Sequence, residues 1–221
     1  VNSTDLLKLM AQRGEVPLGS PQRKAATRHL QENLRRIGRV CKDARVPLAL
    51  CTLAANDAGF APVGSVAVDL DEAQTKQWST WMDGAADRMT RDYVAVAEAA
   101  EALELLERAA ALSDEHAWLR YLQGRALERL GRGDEAYRAY RKARDLDTMP
   151  WRAPTGHSEI IRVQAREVGA VLVDVETAFD EVAPPQGVGW QWMVDHVHFS
   201  VPGQVLLARA MAQSMGDGVA M

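Results

Sequence analysis

A 34-residue internal repeat is the feature that most constrains the fold of this chain. The segment E-A-L-E-L-L-E-R-A-A-A-L-S at 101–113 precedes E-A-Y-R-A-Y-R-K-A-R-D-L-D at 135–147 by 34 positions. Ala, Leu, Glu and Arg dominate from about Asp71 to Asp147, and no strand pattern interrupts them. The sequence therefore predicts an all-helical segment over residues 71–148, built from related helix pairs.

The repeat length also indicates how these helices pack. A period of 34 with small residues at fixed places is typical of tetratricopeptide (TPR) helix pairs. The small residues of the second copy let two helices approach closely and the large ones fill the groove between them, at Gly124, Leu127, Gly131, Ala136, Tyr140 and Ala143. Since TPR arrays normally need three or more copies to be stable, two copies predict that these helices pack against another body.

Two short apolar runs flank this segment, R-V-P-L-A-L-C-T-L-A at 45–54 and A-V-L-V-D-V at 170–175. Both are continuous rather than alternating, as in parallel strands covered on both faces. Helical patterns precede them at 25–44 and 157–169, and another follows from about 202 to 215. We therefore predict an α/β fold at both ends of the chain, with α/β parts at 1–70 and 149–221 around the helical insertion.

Composition excludes several classes of protein. With 47% hydrophobic and 25% charged residues, the chain can bury a globular core. A net charge of −4 argues against a nucleic-acid partner, and no apolar run is long enough for a membrane span. Cys41 and Cys51 do not make a disulfide framework, and no cofactor is predicted. The compartment stays unassigned, because the chain begins V-N-S-T and is expected to lack upstream sequence.

The stretch D-H-V-H-F-S-V-P-G-Q at 195–204 carries the chemistry. An Asp three residues before a His can accept a hydrogen bond from one ring nitrogen, which fixes the tautomer and leaves the other nitrogen free as a base. We therefore predict His198 as a general base and Asp195 as its orienting carboxylate. Two other interpretations stay open: a surface turn that caps the last helix, and a metal site at the H-x-H formed by His196 and His198. No other histidine pair or cysteine cluster supports the metal, so none is predicted.

These segments resemble a known family. D-H-V-H-F-S-V-P-G-Q-V-L-L-A is similar to the Asp-x-x-His segment of SGNH (GDSL-type) hydrolases, and the two apolar runs resemble strands of their flavodoxin-like parallel sheet. L-A-A-N-D-A-G-F-A-P at 53–62 and A-R-D-L-D-T-M-P-W-R-A at 143–153 resemble a bacterial subgroup with TPR repeats inside the hydrolase domain. The similarity covers roughly residues 25–215.

The resemblance implies an esterase or acyl hydrolase, in which a serine attacks an ester carbonyl and a histidine takes its proton. Only Asp195 and His198 match the family's catalytic positions. The Gly-Asp-Ser and oxyanion segments are expected upstream of residue 1, so this chain would be the C-terminal part of the enzyme and inactive alone. Ser65, Ser158 and Ser200 are not predicted nucleophiles, because none follows Gly-Asp.

Three residues are candidates for substrate binding. Asn56 in A-A-N-D is either an oxyanion donor or a loop residue near the pocket. Arg152 either binds a substrate anion or closes the seam between repeat and sheet. Trp192, which alternates with Trp190, either faces the pocket or packs in the core.

The leading hypothesis is thus a serine ester hydrolase that acts on a small-molecule, carbohydrate or lipid ester. The alternative is a protein-interaction module, in which the TPR-like helices bind a partner and the α/β part is a non-catalytic scaffold.

Overall fold

A computed structural model of the protein describes residues 14–219, with the side chains of 217–219 left undescribed. The chain divides into two compact units. The strand-containing unit comprises Gly19–Asn56, Trp151–Ala183 and the residues from Val188 onward, and the helical unit comprises Asp57–Pro150, Pro184–Gly187 and the described residues before Gly19. A short helix predicted near Leu6–Met10 lies outside the described residues.

The strand-containing unit holds two strands and four helices of the described chain. Their order is α1 (Pro21–Ala44), β1 (Ala49–Cys51), α6 (Thr155–Val168), β2 (Val171–Val173), α7 (Val175–Asp180) and α8 (Val201–Val219). The strands pair in parallel, with Ala49 opposite Val171 and Cys51 opposite Val173. Thr52 and Asp174, the residues that directly follow the two strands, therefore lie at the same edge.

Local signals explain where the helices of this unit begin and end. The Ser20 hydroxyl accepts a hydrogen bond from the backbone N–H of Arg23 at 3.3 Å, and Pro21 occupies the first helical position, where its missing N–H is not needed. The helix α6 ends at Gly169, which adopts a left-handed conformation with φ of 68°. Only Ala170 separates Gly169 from β2.

Apolar clusters cover the strand pair on both faces. Leu50 packs with Ile161 and Ala165 in one cluster, to which Leu34 of α1 also belongs. Val173 packs in a second cluster with Phe179 of α7 and Ala210 of α8. Burial on both faces explains why these runs are continuously apolar rather than alternating.

The helical unit contains α2 (Glu72–Met89), α3 (Val96–Leu112), α4 (Ala117–Arg129) and α5 (Gly133–Leu146). A capping box starts α2, since the Asp71 carboxylate accepts from the Gln74 N–H at 2.8 Å and the Gln74 side chain accepts from the Asp71 N–H at 3.3 Å. Small and large apolar side chains from all four helices form one core.

The helices α4 and α5 pack closely at a glycine. A Cβ atom added to Gly124 would lie 2.5 Å from Cδ1 of Tyr140, so only glycine admits the ring at this distance. The Tyr140 hydroxyl donates to the Glu128 carboxylate at 2.6 Å. The close approach expected from the small residues is present, whereas the TPR interpretation of the segment stays a prediction.

Two acidic residues hold the polar stretch after Asn56 to the end of α5. Asp57 forms a buried ion pair with Arg144, whose Nη1 lies 3.1 and 3.0 Å from the two carboxylate oxygens. Asp147 accepts hydrogen bonds from the backbone N–H groups of Val63, Gly64 and Met149, each at 3.0 Å. The D-L-D motif at 145–147 therefore has a structural role within the helical unit.

The predicted fold class, an α/β fold with a flavodoxin-like SGNH-hydrolase sheet, is wrong. The protein is mostly helical, about 60%, and residues 14–219 contain only two parallel strands of three residues each. Each apolar run supplies one short strand, and V-G-S-V-A-V at 63–68 adopts no regular structure. A helix-rich fold with two strands does not fit the SGNH or GDSL-type hydrolases that the sequence resembles.

Candidate functional site

The segment that carries Asp195 and His198 is a tight loop closed by backbone hydrogen bonds. Met193 and Phe199 form an antiparallel bridge. The Val194 N–H donates to the His198 carbonyl at 2.8 Å, and the Ser200 N–H donates to the Trp192 carbonyl at 3.0 Å. The loop therefore has a defined backbone that ends at the start of α8.

The Asp195 carboxylate organises the loop from inside. Its Oδ1 accepts hydrogen bonds from the N–H groups of Val197 at 2.8 Å and His198 at 2.7 Å. Its Oδ2 lies 2.6 Å from Nδ1 of the His198 ring. The carboxylate thus fixes both the backbone turn and the direction of the imidazole.

These contacts keep Asp195 ionised. Partial burial raises the pKa of its carboxyl, but the backbone N–H groups of His198 and Val197 and the His198 ring outweigh this and lower it to about 2. A carboxylate in this state is a hydrogen-bond acceptor only, so the ring must donate from Nδ1. The neutral imidazole then carries its free lone pair on Nε2.

His198 presents that lone pair to solvent. Its side chain is 74% exposed, and that of Asp195 is 39% exposed. Within the described part of the chain, no side chain forms a hydrogen bond with Nε2. The pair therefore has the geometry of an oriented base whose proton donor comes from elsewhere.

Asn56 supports this loop from beneath. It is fully buried; its side-chain Nδ2 donates to the Asp195 carbonyl at 3.0 Å, and its backbone N–H donates to the His196 carbonyl at 3.1 Å. The Asn56 amide, which the sequence predicts as a possible oxyanion donor, therefore holds the Asp195 backbone in place.

Arg152 is also buried, and it contacts Asn56. It is 1% exposed, and its Nη1 donates to the Asn56 carbonyl at 2.9 Å. Arg152, Asn56 and Asp195 form a chain of contacts that runs from the interior to the loop. This position matches a structural role for Arg152, since the guanidinium does not reach the surface.

The aromatic residues near the loop divide between core and surface. Trp192 packs edge-on against Phe179, with ring centroids 5.9 Å apart, while Trp190 is 55% exposed. His196 packs edge-on against Trp151 at 5.4 Å, and its Nδ1 is 3.8 Å from Asp195 Oδ1. Trp192 therefore belongs to the apolar cluster beneath the loop, and the structure does not bring it to His198.

A polar network that was not predicted from the sequence lies at the carboxyl edge of the strands. The Thr52 hydroxyl donates to Asp174 Oδ1 at 2.9 Å, and Arg162 donates to both Asp174 oxygens at 2.8 and 2.9 Å. Arg162 also donates to Glu176 at 2.9 Å. The Arg162 hydrogen bonds are the main reason that the pKa of Asp174 falls to about 2. The sequence signal that could have predicted this network is the position of Thr52 and Asp174 directly after two predicted strands.

Across residues 14–219, no three His, Cys, Asp or Glu side chains lie close enough together to bind one metal ion. In the same residues no helix combines the length and apolar character needed to cross a membrane.

Comparisons with protein-family models, curated proteins and solved structures found no match to this chain. The geometry of Asp195 and His198 is therefore the main indication of function.

Proposed function

We propose that this chain supplies the general base of an ester hydrolase, with His198 as the base and Asp195 as its orienting carboxylate. The observation that supports the proposal is the 2.6 Å contact between His198 Nδ1 and Asp195 Oδ2, which leaves Nε2 open to solvent. The nucleophilic hydroxyl, in this proposal a serine, comes from outside the described residues.

The proposed reaction has two proton transfers per half-reaction. Nε2 takes the proton from the hydroxyl as its oxygen bonds to the ester carbonyl carbon, and the resulting imidazolium returns that proton to the leaving alkoxide. Water then attacks the acyl-enzyme in the same way and releases the acid and the free serine. Asp195 stabilises the imidazolium throughout.

The low pKa of Asp195 suits this role. Because the pKa of its carboxyl is lowered to about 2, Asp195 is a carboxylate at neutral pH. It therefore does not need to accept the proton. Its contribution is orientation and charge stabilisation, as in other histidine–carboxylate pairs.

The test is hydrolysis of 4-nitrophenyl butyrate by the full-length gene product. His198→Ala should lower kcat by about 10²- to 10⁴-fold, the usual contribution of a general base. Asp195→Asn should also lower kcat, because the carboxamide no longer selects the tautomer. His29→Ala changes an exposed histidine of α1 and is the matched control. An active His198→Ala enzyme would remove the proposal.

A second candidate function, binding of an acidic protein segment, is supported by a cleft in the helical unit. This cleft of about 370 Å³ has an apolar floor that includes Leu103 and Leu127. Its charged lining consists of four cations and two anions, namely Arg120, Arg132, Arg138, Lys142, Glu107 and Glu135. Arg120 and Arg132 are already paired with Asp114 and Glu135. The apolar floor beside the other two cations, Arg138 and Lys142, favours a peptide that combines acidic and leucine residues.

Fluorescence anisotropy with a labelled peptide of alternating Glu and Leu tests this second function. The double variant Arg138→Gln/Lys142→Gln should weaken binding at low salt. Arg108→Gln is the control, since Arg108 is exposed on α3 and does not line the cleft. Equal affinity in both variants would contradict a specific role for the cleft.

A further inference from the structure

The strand-containing unit holds an apolar cavity of about 250 Å³ beside the His198 loop. Its walls come from the end of β1 and the residues after it, from the His198 loop, and from α8. The lining residues include Cys51, Thr52, Ala153, Val197, Phe199 and Met211.

The cavity has little capacity to bind polar groups. The Thr52 hydroxyl already donates to Asp174 and accepts from the Glu176 N–H, both at 2.9 Å. Burial raises the pKa of the Cys51 thiol, so the thiol stays neutral. The other side chains that line it are hydrocarbon or thioether groups. A hydroxyl-rich ligand such as a sugar would lose its hydrogen bonds to water here without replacement.

The position of the cavity links it to the base. Val197 and Phe199, the residues on either side of His198 in the chain, both line it. The backbone that carries the imidazole is therefore also part of the cavity wall. A ligand in the cavity lies against the same loop that Asp195 holds in place.

We propose that this cavity binds the acyl chain of the substrate, so that the substrate class is an ester of an unbranched apolar acid. The inference depends on the proposed ester hydrolase function. A methylene group needs roughly the volume of a water molecule, about 30 Å³, so the cavity accommodates a chain of about eight carbons. This selects lipid-type or short fatty acyl esters over acetylated carbohydrate.

The test is isothermal titration of the chain with butanoate, hexanoate, octanoate and dodecanoate, below the concentration at which each forms micelles. Affinity should rise about fourfold for each added methylene, the value expected for burial of one CH₂ group. The rise should stop at about eight carbons, where the cavity is full. Affinity that does not depend on chain length would overturn the proposal.

Three variants make the test specific. Ala153→Leu fills the cavity from its partly exposed wall and should weaken binding of every chain. Met211→Ala enlarges it and should move the preferred chain to a longer length. Met215→Ala makes the same substitution one turn further along α8, outside the cavity, and should leave the series unchanged. A series that is the same in all three variants would contradict the assignment.

His198→Ala separates this inference from the proposed function. The imidazole does not line the cavity, so the variant should bind octanoate as tightly as the original chain does. Normal octanoate binding with no effect of His198→Ala on hydrolysis would reject the base and keep the acyl site. Loss of hydrolysis in His198→Ala without chain-length-dependent binding would do the reverse.

Discussion

The side-chain amide of Asn56 donates to the backbone carbonyl of Asp195 at 3.0 Å from a fully buried position. The Asn56 N–H donates to the carbonyl of His196 at 3.1 Å. Asn56, in the loop that follows β1, therefore holds two consecutive carbonyls of the loop that carries the proposed base. The contact between Asn56 and Asp195 joins residues 139 apart in the sequence.

Asn56→Ala should destabilise this arrangement. The substitution removes the side-chain donor from the partly buried Asp195 carbonyl, which typically costs about 1 kcal/mol. Urea unfolding of the variant measures this loss. Asn33→Ala removes an exposed asparagine from α1 and should change the free energy of unfolding by less than about 0.5 kcal/mol. Equal stability of the two variants would contradict the positioning role of Asn56.

The sequence predicted the local elements better than the sheet. The helix expected at 25–44 is present as Pro21–Ala44, and the helix expected to end at Gly169 does so. The two apolar runs form the strands Ala49–Cys51 and Val171–Val173. The size of a sheet depends on pairing between distant segments, which no local pattern encodes. The larger sheet was inferred from a resemblance, and that inference failed.

The part of the candidate site that depends only on spacing along the chain could be predicted from the sequence. Asp195 and His198 are three residues apart next to a helix start, and the structure places their side chains 2.6 Å apart. The positions of Asn56, Arg152 and Trp192 could not be deduced in this way. Whether a loop amide or an alternating tryptophan faces a pocket or the interior depends on tertiary packing. Here Asn56, Arg152 and Trp192 all contact other groups of the protein.

A close approach between α1 and α6 gives a second prediction. A Cβ atom on Gly38 would lie 2.5 Å from Cβ of Val168. Gly38→Ala should therefore lower the free energy of unfolding by roughly 1–3 kcal/mol through overpacking, despite the gain of up to about 1 kcal/mol that alanine gives in a helix. Denaturant unfolding measures the net effect.

Val168→Gly provides the rescue for Gly38→Ala. It removes the Cβ atom and both methyl groups that the new Cβ atom meets, so the double variant should lose less stability than the sum of the two single variants. Gly156→Ala in α6 is the control, because an added Cβ there meets nothing within 4 Å. If the stability losses of the two single variants add up in the double variant, the contact between residues 38 and 168 is not the cause of the destabilisation.

His116 makes the stability of the helical unit depend on pH. It caps α4, where its Nδ1 accepts from the Leu119 N–H at 3.3 Å, and it packs edge-on against Trp78 at 4.9 Å. Burial lowers the pKa of His116 to about 4, from 6.5 in the unfolded chain. Between these two pH values the unfolded chain binds more protons than the folded one, so stability decreases as the pH falls from 6.5 to 4.

His116→Asn should remove this dependence. Asparagine is a good N-cap and does not titrate. The difference between the unfolding free energies of His116→Asn and the original chain should therefore grow as the pH falls through this window, when followed by circular dichroism. A constant difference across the window would contradict the assignment. His29→Asn, at an exposed site, should follow the original curve.

The tautomer of His198 tests the central claim most directly, because a base needs a free Nε2. Nitrogen-15 spectra of the histidine rings, recorded at a pH where His198 is neutral, report which ring nitrogen carries the proton. The account predicts a protonated Nδ1 and an unprotonated Nε2, with that preference reduced in Asp195→Asn. A proton on Nε2, or a spectrum that Asp195→Asn leaves unchanged, would contradict it.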